Sequence, residues 1–342
     1  MTTVAELVTE HAEGLAFDIV RVAYVELQVA DLAASERFYA DELGMVVAGR
    51  GDRVLYLRGW EERMHHSLVL RQGSIPSVSR VGFLVGGDAD LEALADTFAE
   101  RGLKTEWVDG PSPVVHRALR VRDPFGFPLE FVAAMERVPT QHQRFDLHRG
   151  APVLRFDHVN FHMPQMNEAF RFWSSLGFRC SEYISTDGEP EQLTGAWLLR
   201  KPTVHDVALT AGRGPRLHHF AFWVAEPANV LRACDQLAGA ERSEVIERGP
   251  GRHGVSNAFF VYLRDPDGHR IELYSCDYYT GDPQHEPLRW SVTDPRCRSF
   301  WGTKAPDSWY DESTVVLGPD GRPLPTVDAG VDERAQRSEV MA

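Results

Sequence analysis

Two imidazoles and one carboxylate, set on separate strand-like runs, carry the most chemistry in this sequence. His158 lies in RFDHVNF, the pair His218-His219 lies in LHHFAF, and Glu272 lies in HRIELY. Neutral imidazoles and carboxylates hold divalent metals such as Fe(II), and a facial set of two histidines and one acid leaves positions open for small molecules. Such ligands need not be close in sequence. They need adjacent strands whose side chains point to one face. Around Glu272, alternation sends Ile271 and Leu273 to one face and Glu272 to the other. A charge on the inner face of a sheet needs a partner or a metal. The same alternation sends His218 and His219 to opposite faces, so only one of them joins the set, and the pattern by itself does not choose which.

The elements that must position these residues are repeated. RVAYVELQVADLAASERFYADELGM (21–45) parallels RFDHVNFHMPQMNEAFRFWSSLGF (155–178), each a strand, a helix and a Leu-Gly stop. In the second copy Met166, Ala169, Phe170, Trp173 and Leu176 recur at helical spacing, with Gly177 as a C-cap. RVGFLVGGDADLEALADTFAERG (80–102) parallels HFAFWVAEPANVLRACDQLAG (219–239), and ALRVRDPFGFPLEFVAA (118–134) parallels FVYLRDPDGHRIELYSC (260–276). The last pair reads as a hairpin around a D-P-x-G turn. Such repetition predicts an α+β fold of four βαβββ modules in two related halves, each half a curved mixed β-sheet with flanking helices. The expected organisation is an N-terminal half over 1–150 ending in a polar linker, and a half over 151–280 that carries the site. Residues 281–318, with Trp290, Trp301 and Trp309 among turn residues, are expected to wrap over the second half or form a subunit contact. Residues 319–342 are polar, with Pro319, Pro323 and Pro325 close together, and are expected to form a mobile tail.

A chain of 342 residues with 43% hydrophobic content suits two domains or a repeated module. Its formal net charge of −14 argues against nucleic acid or an anionic membrane as partner. No apolar run approaches the ~20 residues that span a bilayer. MTTVAELVTEHAEG carries acids where a signal peptide needs basic residues, so a cytoplasmic location is expected. Cys180, Cys234, Cys276 and Cys297 form no C-x-x-C pair and read as reduced thiols.

The segment GRHGVSNAFFVYLRDPDGHRIE at 251–272 resembles the signature of the extradiol ring-cleaving dioxygenases of the vicinal oxygen chelate superfamily. That signature has a His, an aliphatic-Tyr pair after seven residues, an Asp-Pro-x-Gly turn and a ligand Glu. Here the members are His253, Val261-Tyr262, Asp265-Pro266-Asp267-Gly268 and Glu272. The flanks RFDHVN, TVHDVALT, GPRLHHFAF and DYYTGDP resemble the branch that cleaves 3,4-dihydroxyphenylacetate, over about 155 to 310; the N-terminal half resembles the superfamily more loosely. The resemblance implies His158, His219 and Glu272 as ligands of Fe(II), with Mn(II) as the alternative. It implies His205 as an acid/base beside the O₂ position, and Tyr262 and His253 as groups that hydrogen-bond the bound catechol. Asn160, Trp197 and Val255 would line the pocket, and Arg248 and Arg298 would face the acidic side arm of the substrate. One departure is Cys297-Arg298, where the family has paired arginines. The resemblance further implies a homotetramer acting on a catechol and O₂. A glyoxalase- or epimerase-type enzyme needs a four-residue metal set, and a non-catalytic binding protein of this fold predicts loss of the triad. The loop around His253, between Gly251 and Gly254, lacks the G-K-[ST] of a phosphate cradle.

Aligning the repeats puts Tyr24 at the position of His158, Arg80 at that of His219 and Glu130 at that of Glu272. The first half is therefore expected to be metal-free. An Arg80–Glu130 ion pair, with a hydrogen bond from Tyr24, should stand where the second half carries its metal.

Overall fold

The computed structural model describes residues 2–330. Each half folds as two βαβββ modules whose first strands lie side by side, antiparallel, at the centre of one sheet. In the first half these are Ile19–Val29 and Ser77–Val85, within an eight-stranded sheet. In the second they are Arg155–Met163 and Arg216–Trp223, within a ten-stranded sheet. Each central strand pairs in parallel with the last strand of its own module, so both sheets are mixed. Helices cover the outer faces: Asp88–Glu100 buries Leu91, Leu94 and Phe98, and Met166–Ser174 buries Phe170 and Trp173. No helix among the described residues is long and apolar enough to cross a membrane.

The helices of the first and third modules differ by one residue, FYADELG against FWSSLG. The extra residue is absorbed as a π-turn, Arg37–Glu42, so that Phe38 and Tyr39 still face inward. The Tyr39 hydroxyl then donates across the half boundary to Asp265 Oδ2 at 2.9 Å, in the D-P-x-G turn of the fourth module.

Both central pairs carry a bulge at the same place. In the second half Leu217 pairs with Phe161 and His219 with Asn160, which leaves His218 as the extra residue. In the first half Glu26 pairs with Arg80 and Leu27 with Val78, which leaves Ser79 extra. A bulge kinks its strand and re-aims the side chains at it.

Beyond the modules, Leu288–Ser291 and Trp301–Gly302 extend the two edges of the larger sheet, and the short helix Ser308–Asp311 follows. Residues 319–330, expected to belong to a mobile tail, are instead tied to the body. Gly214 and Val327 exchange backbone bonds, Leu324 N–H donates to Val316 O, and Leu324 and Ala329 pack on the core. This contact runs through backbone groups and isolated apolar side chains, so it leaves no period in the sequence. The remainder of that expected tail, 331–342, lies outside the described residues.

Candidate metal centre and substrate cavity

Three adjacent strands bring the triad together. Ala221 lies opposite His158 on one neighbour and opposite Glu272 on the other, and His219 is two residues away on the same strand as Ala221. The ligand atoms of His158, His219 and Glu272 all lie within 4.8 Å of one another, and all three residues are buried. His158 Nε2 is 3.1 Å and His219 Nε2 is 3.3 Å from Glu272 Oε2.

The outer nitrogen of each imidazole is committed elsewhere. His158 Nδ1–H donates to Asp157 Oδ2 at 3.0 Å. Asp157 is wholly buried, and Lys201 together with the His158 bond outweighs burial to hold its carboxyl well below the usual carboxylate range. His218 Nε2–H donates to the Trp309 carbonyl at 3.1 Å, so its Nδ1 is the acceptor for His219 Nδ1–H at 2.7 Å. Both Nε2 lone pairs therefore face one carboxylate oxygen, an arrangement that calls for a cation between them. Burial pushes His219 down to about 4 and keeps it neutral, while hydrogen bonds to Asp157 and Glu272 outweigh burial and raise His158, so the two carboxylates favour positive charge at His158 Nε2, as a proton or as a metal ion. The donor set fits a divalent metal of the Fe(II) or Mn(II) type.

The histidine behind His219 departs from one expectation. His218 does not point to the opposite face from His219. The bulge turns both rings into the same cavity, with centroids 4.9 Å apart. His162 was also missed. It shares a face with His158 and Asn160 by simple alternation, and its ring lies 4.4 Å from that of His218.

The cavity measures about 710 Å³, and every candidate residue of the second half lines it: His158, His219, Glu272, His205, Tyr262, His253, Asn160, Trp197, Val255, Arg248 and Arg298. His205 comes from the loop that precedes the strand Val207–Ala211, and its ring lies tilted by 39° against that of His158, with centroids 3.8 Å apart. Burial holds it well below the ordinary imidazole value, and its Nδ1 has no partner among the described residues. The loop itself is held by Asp206, whose carboxylate accepts the N–H groups of Arg200 at 2.7 Å, Lys201 at 3.1 Å and, from the first half, Val22 at 2.8 Å. Tyr262 lies opposite Glu272 in the sheet, and burial keeps its phenol far above its ordinary value. Its hydroxyl and His253 Nε2 are 2.9 Å apart. His253 Nδ1–H donates to the Arg298 carbonyl, and the ring stacks on Phe260 at 3.7 Å. Thr210 Oγ1 donates to Asn160 Oδ1 at 2.8 Å and fixes that side chain. Arg248 is buried, donates to the Arg298 carbonyl and Ser299 Oγ, and stacks over Trp309 at 4.4 Å.

In the first half, Gly82 lies opposite both Tyr24 and Glu130, as Ala221 lies opposite His158 and Glu272. A Cβ at Gly82 would sit 2.1 Å from the Tyr24 ring, so glycine is what lets that ring lie across the strand. The Tyr24 hydroxyl donates to Glu130 Oε1, and Arg80 Nη1 stands 3.5 Å from Glu130 Oε2. The expected ion pair is present. Its geometry differs from a simple pair, because Arg120 binds the same oxygen more closely and Arg80 also reaches Glu26 at 3.6 Å.

A family model described as the Glyoxalase/Bleomycin resistance protein/Dioxygenase superfamily matches residues 21–131 and 155–273. A manganese-dependent 2,3-dihydroxybiphenyl 1,2-dioxygenase from Geobacillus genomosp. 3 is 31% identical over 83% of this chain and 94% of its own length. A metapyrocatechase from Geobacillus stearothermophilus is 31% identical over 88% of this chain and 95% of its own. Among solved structures, homoprotocatechuate 2,3-dioxygenase from Arthrobacter globiformis has 44% sequence identity and a TM-score of 0.88, covering 92% of this chain and 98% of that one. The Brevibacterium fuscum enzyme of the same name gives 42% and 0.90, covering 95% and 90%.

Proposed function

Because this chain belongs to the Glyoxalase/Bleomycin resistance protein/Dioxygenase superfamily, and within it to the extradiol ring-cleaving dioxygenases, we propose that it opens the ring of 3,4-dihydroxyphenylacetate beside the diol. Both atoms of O₂ enter the product, 5-carboxymethyl-2-hydroxymuconate semialdehyde. The observation that carries the reading is the pair of imidazole nitrogens converging on one Glu272 carboxylate oxygen at the wall of the cavity.

His158, His219 and Glu272 would hold Fe(II), with Mn(II) as the alternative. Held there, the metal would supply Lewis-acid and electron-relay chemistry between a catechol and O₂. The protein does the rest. His205, kept neutral by burial and with Nδ1 unengaged, can take a catechol proton and return it later to reduced oxygen. The Tyr262 hydroxyl can donate to negative charge developing on a catechol oxygen, and His253 orients that hydroxyl. Trp197 and Val255 belong to one buried apolar cluster and would keep water from the ring. Arg248 and Arg298 supply cationic charge for the carboxymethyl arm. Exposed Leu288 and Trp301 on the two edge strands offer apolar surface through which subunits of a cytoplasmic homotetramer would meet.

The test is an aerobic colour assay on Fe(II)- and Mn(II)-loaded protein with 3,4-dihydroxyphenylacetate, 4-methylcatechol and catechol. A yellow ring-opened product is expected. Charge-assisted pairing contributes about 1.5–3 kcal/mol, so the acid should be preferred by roughly tenfold to a hundredfold. Equal specificity constants for all three would move the assignment to plain or alkyl catechols. Absence of product from any of them with metal bound would favour a non-catalytic ligand-binding role.

A further inference from the structure

A buried carboxylate behind the cavity wall takes no part in the chemistry above. Glu182, on the strand Arg179–Ser185, is fully buried and lies opposite Trp197 on the neighbouring strand. The apolar cluster beside it contains Ile184, Trp197, Val255 and Cys297, with Tyr278 and Trp290 packed against it. Glu182 forms no ion pair among the described residues, and burial pushes its carboxyl up to about 7 despite hydrogen bonds that favour the charged form. Burying an unpaired acid is unfavourable, so the contacts it makes need an explanation. One oxygen accepts the backbone N–H of Ser256, the other accepts Trp290 Nε1–H at 2.7 Å, and the Tyr278 hydroxyl stands beside the same carboxyl group.

Ser256 sits in a turn whose backbone is unusual. Ser256 and Asn257 have φ of 58° and 55°, the left-handed region that non-glycine residues seldom adopt in succession. Four residues of the same turn, His253, Val255, Ser256 and Ala258, line the cavity. The turn is held by hydrogen bonds at every step. His253 N–H goes to Ala258 O, Gly254 and Val255 N–H both go to Cys297 O, and Asn257 N–H goes to Gly254 O. Of the five backbone N–H groups, Ser256's is the one that a side chain receives.

We propose that Glu182 is a positioning residue for substrate binding: it pins the left-handed Ser256-Asn257 turn and thereby fixes His253 and Val255 at the cavity wall. This rests on the reading that the cavity takes a catechol. The carboxylate is suited to the task because it offers an acceptor oxygen to each of two donors approaching from different elements. An amide offers one acceptor and one donor, so in Glu182→Gln either the Ser256 N–H or the Trp290 indole N–H meets a like donor.

The experiment is an anaerobic titration of metal-loaded wild type, Glu182→Gln, Trp290→Phe and the double variant with 3,4-dihydroxyphenylacetate. It is paired with metal analysis and with steady-state kinetics. A lost hydrogen bond to a buried donor corresponds to about a tenfold change in Kd. Glu182→Gln should therefore keep its metal, raise Kd and KM about tenfold or more, and lower kcat by less than KM rises, the smaller effect passing through His253 to the Tyr262 hydroxyl. Trp290→Phe alone should bind as wild type does. In the double variant the amide oxygen is free for Ser256 and the NH₂ meets no indole donor, with the Tyr278 hydroxyl beside it able to accept, so Kd should return to within about threefold of wild type. An unchanged Kd in Glu182→Gln, or a rise that Trp290→Phe does not reverse, overturns the proposal. Should Glu182→Gln not fold, Glu182→Asp keeps the charge but shortens its reach, and an unchanged Kd there overturns it equally. Wild type that binds metal but no catechol would instead overturn the catechol reading itself.

Discussion

At Glu272 the carboxylate supplies the one negative charge of the ligand set, since both imidazoles bind as neutral donors. Glu272→Gln should lose most metal affinity; elemental analysis after dialysis should give well under the wild-type content, and full occupancy with activity would remove the central assignment. His205 is a different kind of residue. It touches the His158 ring but does not face Glu272 with a nitrogen within bonding distance, so it can change without disturbing the ligands. His205→Phe should keep metal content and catechol affinity while turnover falls by roughly 10²–10⁴, the usual worth of a positioned acid/base. A saturated turnover rate equal to wild type would return His205 to an ordinary packing role.

The D-P-x-G hairpin occurs once in each half, and the two copies are satisfied differently. Asp265 Oδ2 receives the Tyr39 hydroxyl, whereas Asp123 Oδ2 is buried with no partner among the described residues. Asp123 Oδ1 accepts from Phe125 N–H at 2.9 Å and Phe127 N–H at 2.8 Å. Burial pushes its carboxyl up to about 7, against those bonds. The sign follows from proton counting. Between the ordinary carboxylate value and about 7 the folded state holds a proton that the unfolded chain has released, so stability contributed by this group falls as pH rises through that window. Asp123→Asn keeps both Oδ1 bonds and removes the ionisation. Denaturant unfolding should show the variant more stable than wild type at pH 8, on the order of 2–4 kcal/mol, with the gap closing toward pH 4. A gap that does not change with pH would mean that Asp123 does not titrate in this way.

Across the whole molecule, the duplication has given two equivalent sites with different fillings. The second half presents two imidazoles and a carboxylate. The first presents a carboxylate with two guanidinium groups and a phenol. The first half is also tied to the second at points that matter for the site: Val22 to Asp206, Tyr39 to Asp265, and the Gln28 carbonyl to His269 Nε2 at 2.9 Å. Removing Glu130 would leave Arg80 and Arg120 facing each other across a mostly buried site. Glu130→Ala should destabilise the protein by about 3 kcal/mol, the low end for breaking a buried pair because both arginines retain some exposure. Metal content of the folded fraction should stay at the wild-type level. Loss of metal at unchanged stability would mean that the first half acts on the site directly.

The sequence by itself determined the modules, their duplication and the candidate triad, with the choice of His219 over His218 resting on the family resemblance. Period-two alternation, the Leu-Gly stops and the D-P-x-G turns are local signals, and Glu272 and Glu130 stand at the same distance after their turns. Alternation at 158, 160 and 162 also held His162, had it been followed one step further. Tertiary structure decided what local period cannot express. The bulge at His218 shifts register by one residue, and only strand pairing reveals it, so two neighbouring histidines share a cavity that alternation divides between two faces. Arg120 joins Glu130 because its strand pairs with that of Glu130, a contact set by the sheet. Residues 319–330 hold to the body through backbone groups whose partners lie far away in sequence. Glu182 is polar in a strand like many surface residues, and only the packing of a distant turn and the Trp290 indole against it shows that it is buried and what it holds.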